Sequence, residues 1–197
     1  MIDRCPPALM CLERLRAAFS RLLEARQGVA AVEFAMLAPL FIFIYLMAFQ
    51  MTIGFSTSNR VARAAATIAD IATQAETTDT DSLTDLYDLS KAIMAPYSTA
   101  NLQIKVSGIT IDANGDATID WSWKSDNTTP YTEGDSVTVP DDLQVASSFL
   151  VHAEVKTIYN FLFFAPYFSS SKASSIDIYK DFYFRQRVGD SVTCSDC

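Results

Sequence analysis

Positions 34–55 are apolar or uncharged throughout, 22 residues in all. A helix rising about 1.5 Å per residue needs about 20 such residues to cross the hydrocarbon core of a bilayer. The run therefore predicts a transmembrane helix, with Met47, Gln50, Met51 and Thr52 marking its polar exit. The helical rhythm continues past it. Val61, Ala64, Ala65, Ile68, Ile71, Ala72 and Ala75 recur at i, i+3, i+4 and i+7 spacing, and Ala64-Ala65-Ala66 adds propensity. Together the two stretches predict one continuous helix over 29–74, part in lipid and part out. Its alanine-rich stripe predicts a face that another backbone approaches closely. Arg60 and Arg63 are expected where the helix leaves the membrane.

A polar, threonine-rich linker over 76–81 follows. Ser82 is the expected cap of a second helix, with Asp85 three residues on as a weak capping box. Leu83, Leu86, Leu89, Ser90, Ile93 and Met94 form its face, and Pro96 stops it. After Tyr97 the period changes to two. Leu102, Ile104 and Val106 alternate with Gln103, Lys105 and Ser107, and Ile109 and Ile111 resume after Gly108, which predicts a strand bulged at the glycine. Asn114-Gly115 marks a hairpin turn, and Ile119, Trp121 and Trp123 continue on the return strand. Residues 125–136 read as a polar loop, Val137 and Val139 as a short strand ended by Pro140. Two further alternating stretches run over 149–159 and 176–185. Four main strands and a fifth short one joined this way suit an antiparallel sheet. The fold class expected is α+β: a long N-terminal helix, a short second helix and a C-terminal antiparallel sheet.

Charge sharpens the picture by its distribution. Residues 1–28 carry five arginines against Asp3, Glu13 and Glu24, whereas residues 29–197 carry ten basic and twenty acidic groups. A basic head, an apolar bar and an acidic body describe a single-pass membrane protein, and the excess of arginine ahead of the bar places the head in the cytoplasm and the body across the membrane. The acidic body argues against nucleic-acid binding, which wants clustered Lys and Arg. A cleaved secretory signal is the alternative for the bar, but such signals have an apolar region of about 7–15 residues and a small-residue cleavage site after it. The domains expected are a basic cytoplasmic leader over 1–28, a transmembrane helix over 29–55, an exported helical extension over 56–75 and an exported α+β domain over 76–197.

Glu33 stands at the start of the bar. A charge at mid-membrane costs about 2.5–3.5 kcal/mol on insertion scales and less near the edge. Three readings stay open: the carboxylate snorkels to the headgroups, it is protonated, or it pairs with a cation. A cut after Gly28 would create an α-amino group at Val29, about one helical turn from Glu33.

Gly28, four residues, then Glu33-Phe34 resembles the processing site of type IV-like prepilins. More narrowly, Ala31-Val32-Glu33-Phe34-Ala35, with Pro39 followed by Leu40-Phe41-Ile42-Phe43-Ile44, is similar to the TadE-like segment of the Tad (tight adherence, Flp pilus) system. The likeness continues through Arg60-Val61-Ala62-Arg63-Ala64-Ala65 and Thr67-Ile68-Ala69-Asp70-Ile71. It extends more loosely to Val106-Ser107-Gly108-Ile109-Thr110, Trp121-Ser122, Val139-Pro140-Asp141-Asp142-Leu143 and Glu154-Val155, as in TadE- and TadG-type exported domains. The resemblance implies a pilin-like plan and a minor pseudopilin or assembly component of a Tad-type pilus, acting in pilus biogenesis and adherence. It implies processing between Gly28 and Val29 by a prepilin peptidase, and subunit docking through Glu33, Phe34 and Pro39. The partners it implies are the lipid bilayer, other Tad pilus subunits and inner-membrane platform proteins, with the head cytoplasmic and the body periplasmic or extracellular at a bacterial inner membrane. An uncleaved, anchored periplasmic scaffold or binding module, TadG-like in role, is the alternative.

Candidate chemistry is sparse. His152 is the only histidine and falls two residues from Glu154 on one strand face, short of the three or four ligands a zinc site needs. Asp112-x-Asn114-x-Asp116 opens like a calcium loop, but Ala117 stands where that loop wants glycine, and a hairpin turn explains the same residues. Trp121 and Trp123 suit stacking on sugars or, by default, a core. Cys5 and Cys11 lie in the head and Cys194 and Cys197 in the tail, so the two pairs fall in different compartments. Cys194 and Cys197 are candidates for a small terminal disulfide in an exported domain; a redox site would want its Cys-x-x-Cys opening a helix, which a frayed terminus does not provide. Nothing points to a cofactor, a metal or a small-molecule substrate, and the expectation is a non-enzymatic protein. The run Phe161-Leu162-Phe163-Phe164-Ala165-Pro166-Tyr167-Phe168 packs five aromatics into eight residues, too short to span a membrane. It reads as a segment buried under the sheet or against the first helix, or as an exposed patch for a partner or the membrane surface.

Overall fold

The computed structural model describes residues 28–161 and 175–197. The leader, with Cys5 and Cys11, and all of the 161–168 aromatic run except Phe161 lie outside the described residues. The architecture is the expected α+β: among the described residues, one long apolar helix, one short helix and an antiparallel sheet of four strands. The chain divides into two compact units, one ending at Phe49 and one running from Gln50 to Cys197.

The first helix, α1, is continuous over Val29–Ala72, 44 residues, and contributes to both units. It stops two residues short of the expected end. Thr73 turns its hydroxyl onto the Asp70 carbonyl at 2.7 Å, and the Gln74 N–H bonds the Ile71 carbonyl at 3.0 Å, so the last carbonyls are satisfied by a tightened turn. In the first unit the helix has no apolar stripe because it is apolar on every side: Val29, Phe34, Leu40, Phe41 and Tyr45 are all exposed. A helix of this kind is stable in lipid or under other helices, not in water.

In the second unit the same helix becomes one-sided. Val61, Ala65, Ile68, Ala69 and Ala72 are buried in the main core, and Ile71 of the expected stripe faces out. This small-residue stripe shares the main core with Ile104, Val106, Val151 and Val155 of the chain's own sheet. A short strand, β1 (Thr77–Thr78), lies within the linker. The second helix, α2, spans Thr80–Met94. Its cap is Asp79 rather than Ser82, with the Asp79 carboxylate accepting the Ser82 N–H at 2.7 Å; aspartate caps as well as serine, and the helix starts earlier for it. Leu83 and Met94 enter the core, while Leu89 stays exposed.

The sheet is built from β2 (Gln103–Ile111), β3 (Ala117–Lys124), β4 (Ser148–Asn160) and β5 (Ser175–Arg185), in the order β3-β2-β4-β5, all antiparallel. The phase change along β2 is not a bulge in that strand, whose register with β4 is unbroken from Gln103 to Ile111. Ile104 and Val106 face the helices, and Ile109 and Ile111 face the other side, where a second core forms with Ile119, Leu150 and Val139. The irregularity falls on β3: Gly108 pairs with Trp121 and Ile109 with Ile119, which leaves Asp120 as the extra residue. One extra residue reverses side-chain alternation, so Trp121 and Trp123 enter the main core while Ile119 joins the second. The expected strand over Val137 and Val139 is reduced to an isolated bridge between Thr118 and Ser136, followed by a 3-10 turn over Asp141–Leu143. This segment covers the second core with Val137, Leu143 and Tyr131.

The C-terminus is not frayed. Its last strand, β6 (Thr193–Cys194), pairs in parallel with β1. Asp196 accepts the Thr80 N–H at 2.9 Å and the Thr80 hydroxyl at 2.7 Å. Val192 is buried, and its carbonyl accepts the Trp121 indole N–H at 2.7 Å.

Candidate functional site

Gly28, Val29, Glu33, Phe34 and Pro39 all fall at the start of α1, and all are exposed. Among the described residues, nothing lies within 4 Å of the point a Gly28 side chain would occupy. Val29 and Glu33 are four residues apart in one helix and share a face. Pro39 stands inside the helix, where its ring nitrogen cannot bond the Ala35 carbonyl, leaving that acceptor for a neighbour. Among the described residues these form an exposed surface. Cys194 and Cys197, at the other end of the chain, are joined as a disulfide with their Cα atoms 5.7 Å apart.

Where the uncharged run ends, polar groups anchor α1 to the sheet domain. Gln50 is buried, and the Tyr159 hydroxyl donates to its Oε1 at 2.9 Å. The Tyr159 ring lies against the helix at Gly54, 3.6 Å from where a Cβ would sit. Thr57 returns its hydroxyl to the Ile53 carbonyl at 2.9 Å. Arg60 reaches to the end of α2: its guanidinium donates to the Ile93 carbonyl at 2.9 Å and lies 5.4 Å from the centre of the Tyr97 ring. A cation on the last carbonyls of a helix satisfies acceptors that have no intrahelical donor.

A third group of residues was not assembled by sequence reasoning beyond the pairing of His152 with Glu154. On the sheet face opposite the helices, Glu154 is buried and accepts from three directions: the Tyr131 hydroxyl at 2.5 Å on Oε1, and Lys105 Nζ at 3.3 Å and the Tyr179 hydroxyl at 3.0 Å on Oε2. His152 stacks flat on Tyr183 at 4.0 Å and places Nε2 3.4 Å from Asp181. Burial pushes the Glu154 carboxyl up, but Tyr131, His152, Lys105 and Tyr179 together hold it below the usual range. Burial pulls the His152 imidazole down against the opposing pull of Glu154 and Asp181. Burial and the Glu154 charge push the Tyr179 hydroxyl well up, so it acts as a donor. Every oxygen of Glu154 is committed, which makes the cluster a lock across β2, β4 and β5. The sequence signal for it was cross-strand register, which a single chain does not display.

Two further expectations meet their geometry here. Asp112 spends its carboxylate on the Asn114 and Asp116 N–H groups, both at 2.8 Å, and on the Asn114 side chain at 3.0 Å, which is a hairpin turn holding itself closed. Among the described residues, the one His/Cys/Asp/Glu trio tight enough to hold a metal is Cys194, Asp196 and Cys197, and its two sulfurs are bonded to each other. Trp121 and Trp123 are core residues.

The molecule is thus an α+β body built on the second half of a helix whose first half is long and apolar enough to cross a membrane; it has the make-up of a single-pass anchored protein. Residues 28–70 match the family described as TadE-like protein, so the chain carries a TadE-like segment, as the Glu33-Phe34 motif implied. The match opens at Gly28 and ends before the looser likenesses of the sheet domain. No curated protein and no solved structure matches the chain.

Proposed function

We propose that this protein is a structural, non-enzymatic assembly component of a Tad-type pilus, a minor pseudopilin serving pilus biogenesis and adherence. In this reading its leader lies in the cytoplasm and its sheet domain beyond a bacterial inner membrane. The observation that carries the reading is the TadE-like match beginning at Gly28, with Glu33 one turn into an uncovered apolar helix. A prepilin peptidase cuts between Gly28 and Val29. The new amine at Val29 is then neutralised by the Glu33 carboxylate of the same chain or of a neighbour, so that neither charge stands alone in lipid. Other Tad subunits or platform proteins cover the helix face bearing Phe34 and Pro39. Mass spectrometry of the protein from cells with an active peptidase is expected to find Val29 as the first residue. Recovery of the intact Met1 end would sink the proposal in favour of an uncleaved anchor. Glu33→Ala is expected to leave the protein in the membrane but stop its assembly.

A further inference from the structure

A groove of about 410 Å³ opens in the second unit between α1 and the sheet, a size typical of sites that hold small organic ligands, about 300–1,000 Å³. Met51, Gly54 and Phe55 line it from α1, and Tyr159, Ile176 and Lys180 from the sheet. Its helical wall is the last turn and a half of the uncharged run 34–55. If α1 crosses the membrane, as the reading above requires, this wall stands where hydrocarbon gives way to headgroups. The lip is apolar and open: Met51 is 68% exposed, Phe55 70% and Ile176 52%. Tyr159 brings an aromatic body with a polar tip, the kind of residue enriched at that depth.

The charges on the rim are unequal. Lys91, Lys105, Lys124 and Lys156 each have a carboxylate within ion-pair distance, and among the described residues Lys180 is the lysine that has none. Asp177, the acid on the rim, is held by Lys156 at 2.8 Å. An apolar trough with one unopposed ammonium group at its edge matches an acyl chain headed by a phosphate.

We propose that this groove seats a phospholipid of the bilayer that α1 crosses, its acyl chain against Met51, Gly54, Phe55 and Ile176 and its phosphate at Lys180. The bound lipid ties the β4–β5 end of the sheet to the membrane surface.

The test uses the full chain in phospholipid nanodiscs, with Cys5 and Cys11 replaced by serine and a single fluorophore at Ile176→Cys, Phe41→Cys or Ala113→Cys. Lipids carrying a nitroxide near the headgroup should remove most of the emission at position 176 and little at 113, and deep nitroxides should quench position 41. Lys180→Glu should restore most of the emission at 176. Quenching at 41 with none at 176 overturns the lipid site while leaving the membrane anchor intact. That is the result expected if a second chain fills the groove. Loss of quenching at both positions overturns the anchor and the lipid site together. Undiminished quenching in Lys180→Glu overturns the phosphate contact.

Discussion

Glu154 and His152 sit side by side on one buried strand face, and their environments push them in opposite senses with respect to pH. Glu154 is held below the usual carboxyl range by its four partners, despite burial, so its stabilisation is present above that range and is lost as pH falls through the lowered value. His152 is held, by burial, below its ordinary value of 6.5. The unfolded chain therefore takes up the proton first, and stability declines as pH falls below that ordinary value until the folded-state value is passed. As His152 is the only histidine, a fall in stability between about pH 7 and 5.5 belongs to it. Thermal unfolding in detergent should show this fall in the parent and a nearly flat profile in His152→Gln. A fall of equal size in the variant would rule out His152 as its source.

At the scale of elements, two glycines do different work. Gly108 is buried beneath rings: a Cβ there would come within 2.7 Å of Phe149 Cζ and closer still to the Trp121 indole nitrogen. Both rings are packed in the core, and neither is the loose end of a flexible side chain. The Asp120 bulge is what brings the Trp121 ring to that side of β3, and the Asp120 carboxylate holds the bulge to Thr110 at 2.6 Å. Gly108→Ala should thus cost about 1–3 kcal/mol, as overpacking does. Gly54 is the counter-example, since a methyl group there meets Tyr159 at an ordinary 3.6 Å. Gly54→Ala should be neutral or stabilising by up to about 1 kcal/mol, because alanine suits a helix interior better than glycine. Denaturant titration of both variants decides the matter, and equal effects would contradict the packing described.

At the scale of the whole molecule, the tail determines how completely the sheet domain is closed. Thr193 and Ser195 donate to the Glu76 and Thr78 carbonyls at 3.0 and 3.1 Å, so the last residues complete the linker between the two helices. The Cys194–Cys197 disulfide closes a very short loop, worth about 2 kcal/mol by chain entropy. Removing 191–197 should cost more than replacing both cysteines with serine. It exposes the site of a buried valine, worth about 1.5–3 kcal/mol, and strands the Trp121 N–H, worth about 1–3 kcal/mol. Melting temperatures of the two variants test this ordering. If the deletion is no worse than the double serine, the tail pairing contributes nothing.

Sequence alone determined what depends on local period and composition. The uncharged run over 34–55, the alanine stripe, the Asn114-Gly115 turn and the alternating strands each encode their own conformation, and Gly28 to Phe34 is a contiguous motif. The α+β class and the TadE-like segment were legible for that reason. Tertiary structure decided what depends on residues far apart in the chain. On β3 the change of face between Ile119 and the two tryptophans follows from one extra residue at Asp120, which alternation alone did not reveal. The docking of the tail on Thr77 and Thr78, the reach of Arg60 to Ile93 and the convergence of Lys105, Tyr131, Glu154 and Tyr179 are set by strand register and helix placement. Those contacts span 23 to well over 100 residues of chain, and their energies exist only once the main core has brought the elements together.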